Sequence, residues 1–302
     1  MKSPFERKLQ FLDPGNDRTD ADRSRVVVLP LPLEKTTSYV RGTGRGPEAI
    51  VEASTQVEFF DPELLDEPCR LGIHTDWSLA DPAIYRESVE EILARISRRT
   101  AEHLGKGRFV LGLGGEHTVT VGLAEPYLTR FAGELTIVQI DAHADQREEY
   151  EGTPYSHACA MRRLAGRAPI VSVGVRALET AEYEAAPGRG VRIFFAHEIR
   201  KNPRWIEQVV GAIDTPNVYL TFDLDGLDPS IVPSVGTPVP GGLRWDESLD
   251  FLHEIARRHT IVGADVNELC PGEDKRSDFA AALLAYKIVG YALEKELRGR
   301  PV

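Results

Sequence analysis

The stretch TIVQIDAHADQ, residues 136–146, carries Asp141, His143 and Asp145 at alternate positions directly after a run rich in strand formers. Residues spaced by two on an extended segment face the same way, so these three can converge on one point. Charges buried without partners are costly, which demands a counter-charge. Three further segments carry the same chemistry: GGEHT with His117, DLDGLDP with Asp223 and Asp225, and NE with Asn267 and Glu268. Each follows an apolar run. The carboxylates of Asp141, Asp145, Asp223 and Asp225, with two imidazoles, are too many ligands for one small ion. They suit two divalent cations that share bridging carboxylates, four negative charges facing four positive. Oxygen-rich donors with one imidazole per ion and no thiolate favour Mn²⁺ over structural zinc, with Fe²⁺, Co²⁺ and Zn²⁺ also able to bind. Two ions about 3.5–4 Å apart acidify a bridging water towards hydroxide, and the chemistry implied is hydrolysis. Taken singly, each motif has a plainer reading: D-x-H-x-D as a surface loop, His117 as a helix-start residue, Asp223, Asp225 and Asp228 as turn and cap residues ahead of Pro229. Their common placement just past apolar runs argues against four separate coincidences.

The elements that must position these residues are legible as an alternation. Strand-like runs start at Arg25, Arg70, Arg108, Leu135, Pro169, Val191, Asn217 and Thr260. Between them lie helical patterns, the clearest with Val89, Ile92, Leu93 and Ile96 on one face, another with Leu249, Leu252, Ile255 and Ala256. A third, DFAAALLAYKIVGYALEKEL, is apolar enough to be well buried. Runs apolar on both faces, alternating with helices, predict a parallel α/β sheet. About eight strands fit either an open three-layer sandwich or a closed barrel. No repeat, low-complexity tract or linker divides the chain, so residues 25–302 are expected to form one catalytic domain behind an irregular arm over residues 1–24.

Composition narrows the partners. Of 302 residues, 36 are Lys or Arg and 47 Asp or Glu, a net charge of −11. That argues against nucleic acid or an anionic membrane and is compatible with a cationic substrate. The polar N-terminus lacks the apolar core of a signal peptide, and no run reaches the ~20 apolar residues of a membrane span. Cys69, Cys159 and Cys270 are too few and too scattered for a disulfide framework or zinc knuckle, so a reducing, cytoplasmic setting is expected.

With these residues in view, the chain resembles the ureohydrolases (arginases, agmatinases and their relatives), most closely the bacterial and archaeal agmatinases. GGEHT, DAHAD, the long stretch FDLDGLDPSIVPSVGTPVPGGL at residues 222–243, and DVNELCP from Asp265 are similar to the family's four metal and substrate signatures. The resemblance implies a three-layer α/β/α sandwich with an eight-stranded parallel sheet. It implies two Mn²⁺, one held by His117, Asp141, Asp145 and Asp223, the other by His143, Asp141, Asp223 and Asp225, with Asp141 and Asp223 bridging. It also implies that Glu268 grips the substrate guanidinium with Asp265 supporting it, that Asp145 accepts the nucleophile's proton, and that His157 in YSHACAMRR shuttles a proton to the leaving amine. Relatives form trimers and hexamers, so a homo-oligomer is implied. Glu116, Thr118 and Ala158 depart from the common Asp, Ser and Gly without removing a ligand.

Within that resemblance, agmatine is the expected substrate, cleaved to putrescine and urea in polyamine biosynthesis. The loop QREEYEGTPYS offers Glu148, Glu149 and Glu151 to a distal ammonium, and Glu179 is a weaker candidate for the same contact; the plainer reading of the loop glutamates is solvated charge. Aminopropylagmatine, guanidinobutyrate or arginine are the alternatives, and a metal-binding protein without turnover is the reading from another class. GTGRGPEAI lacks both G-x-G-x-x-G and a P-loop Lys-Ser/Thr and reads as loop structure at the pocket rim or a subunit contact, with Pro47 at a helix start.

Overall fold

The computed structural model describes residues 4–299; the first three residues of the expected arm and the last three of the chain lie outside the described residues. All eight expected strands form: β1 Val26–Leu31, β2 Ile73–Thr75, β3 Phe109–Gly114, β4 Leu135–Ile140, β5 Ile170–Val175, β6 Val191–Phe195, β7 Asn217–Asp223 and β8 Thr260–Asn267. They make one sheet in the order β2-β1-β3-β8-β7-β4-β5-β6, parallel at every pairing. β2 is shorter than its apolar run because Pro68–Leu71 winds into a 3-10 turn and Gly72, at φ +78°, turns the chain before the strand can start.

The sheet is open, with helices on both faces. Val26 and Val28 of β1 pack on one side, with the Gly46–Ser54, Trp245–Arg258 and Arg276–Ala292 helices; Val27, Leu29 and Leu31 pack on the other, with Val89–Gly105 and Val119–Arg130. Alternate side chains of one strand thus feed two separate cores, the physical content of a three-layer sandwich. The Val89–Gly105 helix starts where its sequence predicts: Ser88 and Glu91 form a reciprocal capping box. The arm is irregular apart from a short helix, Pro4–Arg7, and a 3-10 turn, Asn16–Arg18, but it is fastened: Phe11 and Leu12 are buried, and their amides donate to Thr75 Oγ1 at 2.7 Å and Ser54 Oγ at 2.8 Å.

Strand order is what builds the site. The chain lays β1–β3 in one half of the sheet and β4–β6 in the other, then returns to insert β7 and β8 between them. The four strands that precede the chemical motifs, β3, β8, β7 and β4, therefore stand side by side. Register sets them level: Ile140 pairs with Phe222 and Asp223 with Asn267. Asp141, Asp223 and Glu268 leave the sheet within about one residue of the same height, at the carboxyl edge where the sequential order of strands switches, the usual ligand position in such sheets.

Candidate active site

The expected ligands meet at that edge. His117 Nδ1 lies 3.1 Å from Asp141 Oδ2, 3.0 Å from Asp145 Oδ2 and 3.4 Å from Asp223 Oδ2. His143 Nδ1 lies 2.9 Å from Asp225 Oδ2 and 3.6 Å from Asp141 Oδ1. Two compact donor groups result, His117–Asp141–Asp145 and Asp141–His143–Asp225, with Asp141 common to both. Asp223 sits beside the first group, its Oδ1 accepting the Asp225 amide at 2.8 Å and its Oδ2 turned to His117.

The tautomer of His117 follows from its other nitrogen. Nε2 is 2.8 Å from Thr221 Oγ1, whose hydroxyl donates to Asp265 Oδ1 at 2.6 Å. A hydroxyl that gives its proton to Asp265 accepts from Nε2–H, so in the neutral imidazole, the form that ligates, the Nδ1 lone pair faces three carboxylates. Nδ1 is buried and has no hydrogen-bond partner. An acceptor aimed at acceptors is a misfit for protein alone and a fit for a cation between them. Asp265 also accepts from Tyr219 OH at 2.6 Å and from Asn267 Nδ2. It therefore braces His117 through Thr221; the expectation that it supports Glu268 from behind is corrected. Gln139 performs the equivalent task for Asp141, donating to Oδ2 at 2.7 Å while accepting from Ser172 Oγ. Thr221→Val keeps shape and removes the hydroxyl; metal affinity is expected to fall roughly 10- to 100-fold. A metal titration showing wild-type affinity would remove Thr221 from the site.

Glu268 follows β8 at φ +69° and is almost wholly buried; its Oε1 accepts the His117 amide at 2.6 Å. Burial, reinforced by the charge of Glu116, holds its carboxyl well above the ordinary range despite that hydrogen bond. Asp145, at φ +51°, is the second residue of the site in the left-handed region. Such conformations cost about 1–3 kcal/mol each and persist where the surroundings enforce them. Nothing in residue type or spacing announced them. Gly115 enables the arrangement: a Cβ there would collide with the Leu33 carbonyl, and its own carbonyl accepts the Glu268 amide at 2.9 Å.

A cleft of ≈ 320 Å³ opens over the donor groups, lined by His117, His143, Asp145, Asp223, Asp225 and Glu268 at its floor. His157 stands on its wall, with its amide on Thr36 Oγ1 at 3.0 Å and its Nε2 3.2 Å from Ser38 Oγ. Glu116, buried just past the end of β3, accepts the amides of Lys35 and Thr36 at 2.7 Å and so fixes the segment that holds His157. Burial, then the positive charge of His143, pushes the His157 imidazole down to about 4, so it is neutral at pH 7.

A family model for the arginase family matches residues 24–293. The chain belongs to the arginase family. N(1)-aminopropylagmatine ureohydrolase of Synechocystis sp. is 39% identical, over 93% of each chain, and that of Thermus thermophilus 37%, over 91% of this chain and 93% of its own. An agmatinase of Bacillus anthracis is 32% identical over 84% of this chain and 86% of its own. Among solved structures, the agmatine ureohydrolase of Thermoplasma volcanium superposes with a TM-score of 0.83 at 26% identity, over 97% of each chain. The chain is thus an arginase-family ureohydrolase, a hydrolase of guanidino carbon–nitrogen bonds, and its sandwich is the one the resemblance implied.

The acidic loop is corrected. Glu148 is exposed and clamped by Arg162 at 2.8 Å, by Arg163 at 3.6 Å and by Arg189; Glu149 and Glu151 are exposed, and none of the three lines the cleft. The loop turns at Tyr150–Thr153, which faces Tyr150 inward and its neighbours outward. Glu179 does line the cleft, and Glu182, Arg147 and Tyr150, which sequence reasoning passed over as substrate-facing groups, line it too. GTGRGPEAI packs on Leu269 and Cys270 instead of entering the cleft, and Pro47 stands at the helix start as expected. Arg176 is a further residue beneath the site whose part only the tertiary structure reveals. Its guanidinium donates to the carbonyls of Gly174, Asp225, Leu227 and Val239, fixing the backbone that carries Asp225.

Without cations the cluster balances itself with protons. Burial would lower the His143 imidazole, but the charges of Asp225 and Asp141 push it up to about 11. Burial and the charge of Asp141 push Asp145 up to about 7. Both must be deprotonated to ligate. Metal binding at pH 7 is therefore expected to release protons, and affinity to weaken as pH falls and strengthen as it rises. Calorimetry in buffers of different ionisation enthalpy reads the count; binding with no proton release would contradict this charge state.

Proposed function

We propose that this arginase-family enzyme releases urea from a linear guanidino-alkylamine, with N(1)-aminopropylagmatine as its substrate and agmatine as the shorter alternative. The observation that carries the reading is the pairing, across one narrow cleft, of two His/Asp donor groups with the Glu268 carboxylate. The greater identity to the aminopropylagmatine ureohydrolases of Synechocystis sp. and Thermus thermophilus than to the agmatinase of Bacillus anthracis moves the longer substrate ahead of agmatine.

The donor set fits two divalent cations, Mn²⁺ by its oxygen-rich chemistry, held by His117, Asp141, Asp145 and Asp223 and by His143, Asp141, Asp223 and Asp225. Bound there, they would supply an acidified water and an electrophilic field for the developing charge. The protein's own groups do the rest. Glu268 accepts from the guanidinium N–H groups through the oxygen not committed to the His117 amide, and so turns the guanidinium carbon to the floor of the cleft. Asp145, on the floor, takes the nucleophile's proton. The imidazole of His157, with Ser38 and Thr36 holding its ring, relays that proton to the leaving amine nitrogen as the carbon–nitrogen bond breaks. The pocket volume is at the small end of the range for ligand sites, about 300–1,000 Å³, as a thin unbranched substrate requires.

Urea release after Mn²⁺ loading, measured side by side on aminopropylagmatine, agmatine, arginine and guanidinobutyrate, tests the reading. The expected order has aminopropylagmatine at least tenfold above arginine in kcat/KM. Preferred use of arginine or guanidinobutyrate would overturn it.

A further inference from the structure

The outer cleft holds one permanent cation among its described lining residues, Arg147. A cationic substrate would meet it head on. Its guanidinium is, however, already spoken for: it lies 4.7 Å from the centroid of the Tyr150 ring, with Nη2 3.2 Å from Glu179 Oε1 and Nε 3.8 Å from Glu182 Oε2. The two carboxylates are not equivalent. Glu182 is buried and committed to the backbone, accepting the Gln146 amide at 2.9 Å and the Glu179 amide at 2.8 Å. Glu179 is 56% exposed, so its pairing with Arg147 stands open to solvent. The Tyr150 ring links this corner to the His157 wall, since the two rings meet edge to face at 5.8 Å and 89°. An aromatic face beside an accessible carboxylate is what an alkylammonium binds, and here both are covered by the protein's own guanidinium.

We propose that Arg147 is a specificity-determining residue that occupies the distal-cation position of the free enzyme and must be displaced from Tyr150 and Glu179 by the ammonium tail of the substrate. Exposed ion pairs and cation–π contacts are weak and exchangeable, so the arginine is a competitor instead of a barrier. It also keeps the net charge of the corner low until a cationic tail arrives. A guanidino compound with an uncharged tail gains nothing from the exchange and leaves Arg147 in place. This inference rests on the reading of the substrate as cation-tailed.

Steady-state kinetics of Arg147→Met, Arg147→Lys and Glu179→Gln in the Mn²⁺-loaded enzyme test it, with agmatine and aminopropylagmatine as substrates and butylguanidine, which has no tail charge, as a competitive ligand. Arg147→Met is expected to lower KM for the two amines about five- to tenfold with kcat held within twofold, and Arg147→Lys to stay near wild type. Glu179→Gln is expected to raise KM for the amines about tenfold, and by more than that in the Arg147→Met background, where the substrate holds Glu179 alone. Inhibition by butylguanidine should not move in any variant. A rise in KM for the amines in Arg147→Met, or an equal shift for butylguanidine, would overturn the proposal by making the arginine a wall of the cleft. Failure of the substrate reading looks different: the wild type would prefer guanidinobutyrate, and Arg147→Met would lose it, making the arginine an anchor for a carboxylate.

Discussion

Asp141→Asn is expected to abolish urea release, with a loss on the order of 10³-fold or more in kcat/KM, about 4 kcal/mol. Among the described residues Asp141 is common to both compact donor groups, so this substitution strikes both ions at once. Its two oxygens also accept different partners, Oδ1 the His143 amide at 2.6 Å and Oδ2 Gln139 Nε2 at 2.7 Å, so the side chain cannot turn to compensate. Asparagine keeps the volume and loses the charge. The measurement is twofold: metal content of the purified variant by mass spectrometry, and urea release at saturating Mn²⁺. Two ions should fall to one or none. By contrast Asp145→Asn removes a donor from one group only and should retain the ion held by His143. Wild-type metal content and turnover in Asp141→Asn would end the two-cation reading.

Glu268→Gln is expected to lower kcat/KM about 10²-fold, about 2.7 kcal/mol, within the ~1.5–3 kcal/mol usual for a hydrogen bond to a charged group. The loss should fall mainly on KM, since the carboxylate holds the guanidinium in ground and transition states alike. The glutamine amide oxygen still accepts the His117 amide, so metal content should be unchanged. Glu268→Ala leaves that buried N–H without its acceptor and should weaken metal binding as well. A Glu268→Gln enzyme with wild-type KM would take the residue out of substrate binding.

How legible was this in the sequence? The donor residues were, because ligation needs particular atoms at particular spacings: alternate positions after a strand for Asp141, His143 and Asp145, and the same device at Asp223 and Asp225. The strands were legible because a parallel sheet is buried on both faces and reads as continuous apolar runs. The acidic loop was misjudged for a physical reason. Negative charge in a polar loop is a local property, while the arginines that satisfy Glu148 come from residues 162, 163 and 189, and no pattern near the loop reports them. Arg176, Thr221 and Tyr150 were missed on the same ground: their roles lie in what they touch across the fold.

The sequence by itself determined the inventory: eight strands, six His and Asp side chains of metal-ligand type, a glutamate at the end of the last strand and an acidic chain around them. Only the tertiary structure decided that β7 and β8 slot between the two halves of the sheet, so that motifs far apart in the chain emerge at one level. Local sequence encodes whether a strand forms, because that depends on neighbours along the chain. Which strands stand together depends on how two apolar faces and their helices pack, a sum over distant contacts that no single segment contains.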